Sequence, residues 1–172
     1  MNKAKFIARQ AMIAAIYTVT STLLAPLSFS TVQVRVSEAL TLLPVFGAEN
    51  IVGITVGCFL TNLIGVLTGA DLLGAFDIVF GTMATLFAGI ATYMLRNVRI
   101  KDIPVAAAIP PVVFNAVVVG MELCIMISGG FNALVFGAQA LSVGVGEALS
   151  CVLGLVLVRI IEKNSSLSEI FA

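Results

Sequence analysis

Residues 10–34 carry no charged side chain, and comparable charge-free apolar runs recur to the end of the chain. In hydrocarbon, backbone N–H and C=O groups find no water and must be satisfied within the chain, which a helix does by itself. A span needs roughly 20 mostly apolar residues. The 172 residues, 60% hydrophobic and 10% charged against about a quarter charged in soluble domains, therefore predict an all-α integral membrane bundle. It comprises about six passes joined by short connections, one transmembrane domain over residues 1–172 set in a lipid bilayer. The opening MNKAKFIARQ resembles a signal peptide, but the apolar run after it is too long for an h-region and has no clear A-x-A cleavage site. It reads as the start of a retained first helix.

The charge-free runs place the first helix at about 4–27, ending near Pro26, and a loop at 28–36 carrying Phe29, Gln33 and Arg35. The second helix starts at Ser37, a suitable N-cap, and fades by Gly47. Eleven α-helical residues rise only ~16 Å, so this element is too short to cross the hydrocarbon alone. Helices three to six fall at 50–68, 72–95, 103–127 and 132–161, with turns at TGAD (68–71) and SGGFN (128–132). With six passes, Lys3, Lys5, Arg9, Arg96, Arg99, Lys101, Arg159 and Lys163 share one side and Arg35 is left on the other. The positive-inside rule then makes both termini cytoplasmic and puts Arg35 near the outer face.

Ionisable groups inside membrane helices are costly and mark function by default. Glu38, Asp77 and Glu122 fall near the outer ends of their helices, and Glu147 nearer the middle of the sixth. Asn115 lies two turns below Glu122 on the same helical face, and Gln139 occupies the outer half of helix six. Four carboxyls beside one arginine form an acidic basin that repels itself unless a cation or several N–H donors enter it. A pocket open to the outside is the expectation, with Glu49 left as a solvated cap at the inner end. Phe29, Phe76, Phe80, Phe114 and Phe136 lie at a similar level and offer faces for a planar ligand, although phenylalanine facing lipid or core is the commoner case.

Other chemistry is poorly provided for. There is no histidine, so metal sites and imidazole catalysis lose their usual residue. Cys58, Cys124 and Cys151 lack a C-x-x-C spacing and read as small buried hydrophobes. A formal net charge of zero and no basic patch argue against nucleic acid. No cofactor motif is present, and without a G-x-x-x-x-G-K-[ST] phosphate loop any ATP-driven step needs another chain. Ala4, Ala8, Ala11 and Ala15, continued by Thr18 and Thr22, form a small-residue stripe on helix one. Such a stripe serves either packing within the bundle or docking of another membrane protein.

The segments VRVSEALTLLPVF (34–46), FDIVFGTMATLFAG (76–89) and GVGEALS (144–150) resemble the QueT family. These are substrate-binding S components of energy-coupling-factor transporters assigned to queuosine precursors. The resemblance spans essentially the whole chain, and R-x-S-E-A-L-T-L-L-P is its most specific part. AMIAAIY (11–17) resembles the first helix of S components, where Ala11 and Ala15 would meet the transmembrane coupling protein. The resemblance implies a subunit that captures a 7-deazaguanine, either the aminomethyl precursor or queuine, and delivers it through that coupling protein and two ATPase subunits. It makes Asp77 and Glu147 the leading ligand carboxylates, with Arg35 and Glu38 at a lid over the site. Arg35 would hold Glu38 or donate to the ligand carbonyl. An S component for another vitamin or nucleobase, and a small membrane scaffold working through the alanine stripe, are the competing readings.

Overall fold

The computed structural model describes residues 3–24, 35–71 and 73–171. The expected end of helix one near Pro26, most of the first loop, and Phe29 and Gln33 lie outside them. The described residues form α1 (Lys3–Leu23), a 3₁₀ helix (Val36–Val45), α2 (Asn50–Thr68), α3 (Ala75–Leu95), α4 (Ile109–Ser128), α5 (Ala133–Lys163) and a short α6 (Ser165–Phe171). There is no strand among them. The helices pack in chain order, α1 on α2 through to α4 on α5, and the 3₁₀ helix sits inside the bundle against α1, α2, α3 and α5.

Among the described residues, four segments are long and apolar enough to cross a membrane: Asn50–Thr68, Ala75–Leu95, Val105–Ser128 and Ala133–Lys163. The protein is a multi-pass membrane protein. α1 has 21 residues but spends its buried face on Arg9, Gln10, Tyr17, Thr18 and Ser21 as well as Ile13 and Ala14. Its polar side chains bond to neighbours: Gln10 Oε1 accepts from Gly53 N at 3.0 Å and Thr18 Oγ1 donates to Gly57 O at 3.2 Å. Thr18 therefore belongs to the buried face and not to the alanine stripe. Ala4, Ala8, Ala11, Ala15 and Thr22 are exposed on the opposite side.

The second helix expected at 37–47 is 3₁₀ and not α, for local reasons. Pro44 has no N–H to give to an i−4 carbonyl. Thr41 Oγ1 donates to Glu38 O at 2.5 Å and occupies an acceptor that an α-turn would use. Backbone bonds close at i→i+3 from both ends, Glu38 N to Arg35 O at 2.9 Å and Phe46 N to Leu43 O at 3.0 Å. At about 2.0 Å per residue, ten residues reach ~20 Å, further than an α-helix of the same length. Ser37 does not cap this helix, whose N-cap is Arg35. The Ser37 hydroxyl instead meets Ser21 Oγ at 2.5 Å.

Other departures follow from proline and glycine. α3 starts at Ala75 because Gly74 (φ 67°, ψ −147°) breaks the helix before it. α4 starts at Ile109, behind a 3₁₀ turn over Val105–Ala108, where Pro104, Pro110 and Pro111 delay the α-helical ladder. Asn132 caps α5 with its side chain, accepting from Leu134 N and Val135 N.

One end of the bundle gathers the basic residues and both described termini. Arg9 Nη1 donates to Ile170 O at 2.9 Å, and Asn50 Nδ2 donates to Leu43 O at 3.1 Å and Phe171 O at 3.0 Å. Arg99 pairs with Glu162 at 2.7 Å. Glu49 is exposed at the N-cap of α2 and makes no side-chain cap bond.

Gly154 lets α5 touch the 3₁₀ helix: a Cβ there would stand 2.6 Å from Ala39 O and 2.9 Å from Leu42 Cδ1. Backbone cannot yield as a flexible side chain can. Gly154→Val should therefore destabilise the protein by roughly 1–3 kcal/mol. Thermal denaturation in detergent checks this, and an unchanged melting temperature would show that the contact can be relaxed.

Candidate functional site

The 3₁₀ helix carries the site's first two residues. Arg35, at its N-cap, is only 5% exposed. Its Nη2 pairs with Asp77 Oδ2 at 2.9 Å and its Nη1 donates to Asn62 Oδ1 at 3.2 Å. Asn62 Nδ2 donates in turn to Asp77 O at 2.7 Å. The guanidinium thus joins the 3₁₀ helix to α2 and to the first turn of α3. Gly81 makes room for this arrangement, since a Cβ there would run into Asp77 Oδ1. Arg35 also meets Glu38 through the backbone, its carbonyl accepting from Glu38 N at 2.9 Å.

Glu38 faces the other way. It is fully buried, and its Oε1 accepts a short hydrogen bond from Tyr17 of α1. Its Oε2 has no partner. Asn115 of α4 and Glu147 of α5 complete the cluster, with the Asn115 amide beside the Glu147 carboxyl. Cys151 makes a long contact of 3.9 Å to Glu147 Oε1. Arg35, Glu38, Asn115 and Glu147, with Val119 and Val143, line a cavity of about 10 Å³. That is room for about one water, far below the roughly 300 Å³ at the small end of ligand pockets. The polar site as it stands has no room for a ligand.

Glu122 does not join this cavity, although it lies two turns from Asn115. It lines a larger apolar groove between α3 and α4, about 690 Å³, with Phe76, Phe80 and Met121. Gln139 is half-buried, one turn beyond Val143 on the same stripe of α5, and is not part of the cavity wall. Of the aromatic residues, Phe76 and Phe80 stack at 6.4 Å over the groove. Phe114 pairs with Phe87 and Phe136 with Phe131, neither lining the polar cavity. The three cysteines are free and buried, and Cys58 accepts from Thr85 at 3.2 Å. No group of acidic, cysteine or histidine side chains among the described residues could hold a metal ion.

Three residues absent from the sequence-derived set prove important. Asn62 interrupts the apolar run 50–68 and Tyr17 places a hydroxyl inside α1. Both meet the same criterion, a polar group at membrane depth, that picked out Asn115. Asp71 sat in a turn composition and gave no such signal. It lies in the connection before α3, where its Oδ1 accepts from Leu73 N at 2.8 Å. Burial, with the negative charge of Asp77 adding to it, pushes its carboxyl up to about 6.

Two outcomes follow. Arg35→Met leaves Asp77 a buried carboxylate without its cation, which should cost roughly 3–5 kcal/mol of stability. Adding Asp77→Asn should recover much of that loss, as read by denaturation of both variants. A single variant as stable as the parent would remove the ion pair from this role. For Asp71 the folded pKa exceeds the unfolded one, so its stabilising contribution is full below the ordinary aspartate pKa and is lost as pH rises through about 6. Asp71→Asn should therefore melt higher than the parent at pH 7.5, with the two curves converging towards pH 4.

A family model described as QueT transporter matches residues 7–163. No curated protein matches the chain, and no solved structure does.

Proposed function

The chain belongs to the QueT transporter family, and we propose that it is the substrate-binding membrane subunit for ATP-driven uptake of a queuosine precursor, a 7-deazaguanine. It is a transporter protein and not an enzyme. The observation that carries the ligand reading is the buried Glu38 Oε2, left without a hydrogen-bond partner at one small polar cavity that Arg35, Asn115 and Glu147 also line. A buried acceptor or donor left unpaired costs about 1–3 kcal/mol, so such a cluster favours a partner that supplies what is missing. A guanine-like edge offers adjacent N–H and amino donors to one carboxylate and a carbonyl to Asn115 or Arg35. Asp77, held by Arg35 and Asn62, positions the guanidinium and does not itself line the cavity.

The crossing pattern belongs to the same proposal. The 3₁₀ helix runs from the Arg35–Asp77 pair to the end where Asn50 and Phe171 meet, so it serves as the second of six passes. The basic end is cytoplasmic by the positive-inside rule. Ala11 and Ala15 face away from the bundle and supply a close-approach surface for a transmembrane coupling protein, with two ATPase subunits behind it.

Equilibrium binding to the purified protein in detergent tests the reading, with aminomethyl-deazaguanine and queuine as ligands and thiamin and riboflavin as controls. Saturable binding of a deazaguanine alone, weakened about tenfold or more by Glu147→Gln, is the expected result. Binding of a control vitamin instead would keep the transporter and replace the ligand. Accumulation by vesicles lacking any ATPase module would overturn the coupling.

A further inference from the structure

The seam between α4 and α5 is tight at one end and open at the other. At Gly120 a Cβ would stand 2.8 Å from Ala140 Cα, and at Gly144 one would stand 3.4 Å from Ala116 Cβ. Towards the basic end Pro104, Pro110 and Pro111 take the chain through the 3₁₀ turn Val105–Ala108 before α4 begins. Two apolar hollows follow there, about 280 and 410 Å³, and they share Val105, Val152 and Leu155. Together they make one groove. Between Ala148 and Arg159 α5 rises ~16 Å, about the depth of one leaflet of a hydrocarbon core ~30 Å thick.

The mouth of this groove is charged. Arg159 and Lys163 line it beside Val156 and Ile160, and their spacing of four puts both cations on one face of α5. Val152, Val156 and Ile160 are each more than half exposed. Across the mouth runs a tight turn, with Ile100 N donating to Ile103 O at 2.9 Å and Ile103 N to Ile100 O at 3.0 Å. Its Asp102 carbonyl accepts from Arg99 Nη1 at 3.0 Å and from Arg159 Nη1 at 3.5 Å. Glu162 pairs with Arg99 at 2.7 Å and stands 3.9 Å from Arg159. Both contacts of Arg159 are therefore long, and its side chain is 39% exposed. Arg99, Lys101, Arg159 and Lys163 face only Asp102 and Glu162, so the mouth carries surplus positive charge.

We infer that this groove seats an anionic phospholipid from the leaflet at the basic end, with an acyl chain along the α4–α5 seam and the phosphate on Arg159 and Lys163. Charge complementarity selects the occupant. A zwitterionic headgroup brings a cation of its own to a mouth that is already positive, whereas an anionic one does not. Arginine offers paired N–H donors to phosphate oxygens, and both side chains reach headgroup level along their aliphatic stems. A soluble anion would use the mouth and leave the apolar length of the groove without a partner. This seat is independent of the ligand assigned to the polar cavity.

The test titrates the purified full chain in detergent with dioleoyl phosphatidylglycerol or dioleoyl phosphatidylcholine and counts bound lipid by native mass spectrometry. The parent should hold phosphatidylglycerol about tenfold or more tightly than phosphatidylcholine. In the double variant Arg159→Gln/Lys163→Gln the ratio should fall towards one. Arg159→Lys keeps the charge and should keep the preference, which separates lost charge from a damaged fold. Lys3→Gln/Lys5→Gln, at the same end but outside the groove, should leave the ratio as in the parent. Val156→Trp, which fills the groove, should weaken both lipids about tenfold, and excess glycerol phosphate should displace neither. Equal affinities in the parent, or a parental ratio in Arg159→Gln/Lys163→Gln, overturn the seat. An equal fall in Lys3→Gln/Lys5→Gln replaces it with general surface charge. Displacement by glycerol phosphate, or unchanged binding in Val156→Trp, removes the acyl chain from the groove.

Discussion

A guanidinium buried at one end of a membrane bundle has to be held by something, and here the holder is Asp77. The pair joins the start of the 3₁₀ helix to the start of α3, and Asn62 brings in α2 through both ends of its amide. Removing two charges from water costs several kcal/mol per ion, which their attraction offsets only when geometry is good and further hydrogen bonds are made. Asn62 provides one such bond to the arginine and another to the Asp77 backbone. The result fixes the chain direction at residue 35 and so fixes where Glu38, three residues on, must point. With Arg35 turned towards α3, Glu38 is turned towards α1, where Tyr17 receives it.

The 3₁₀ helix then acts as an inner rod around which the longer helices close. Gly154 on α5 lets its backbone come near, Ser21 on α1 meets Ser37, and Phe171 of α6 lies 6.3 Å from Phe46 just past its end. A 3₁₀ helix of ten residues is unusual because its hydrogen bonds are poorer than α-helical ones. Contacts on several sides stabilise it in place of intrinsic propensity. Close packing of this kind also explains why the polar cavity is so small: α4 and α5 approach closely at Gly120, where a Cβ would stand 2.8 Å from Ala140 Cα.

Much of this architecture is legible in the residues. The run 50–68 coincides with α2, and the isolated polar residues at membrane depth led to Arg35, Glu38, Asn115 and Glu147, which line one cavity. The family signature in VRVSEALTLLPVF agrees with the matched family model. What escaped the sequence was pairing and facing. Depth arguments place Arg35 level with both Glu38 and Asp77, and only the backbone path of the 3₁₀ helix decides between them. Asn115 and Glu122 share a helical face by spacing, yet the seam between α3 and α4 falls so that one looks inward and the other into the groove. Asp71 escaped because a turn composition hides an acidic residue that the fold then buries.

The charge balance of the interior narrows what such a site accepts. Glu38, Asp77 and Glu147 are buried against Arg35, whose ion pair is with Asp77. That leaves Glu38 and Glu147 as two acidic groups at one small cavity, where the Tyr17 hydroxyl donates to Glu38 and the Cys151 thiol stands 3.9 Å from Glu147. Under the proposed function, a ligand with N–H donors compensates these acidic groups, and one rich in acceptors would add to the repulsion. A planar edge with two neighbouring N–H groups meets that condition against a single carboxylate, and charge-assisted hydrogen bonds of this geometry are the strong ones. Selectivity would then arise from the count of donors the cavity lacks, before any contact with the shape of the ligand.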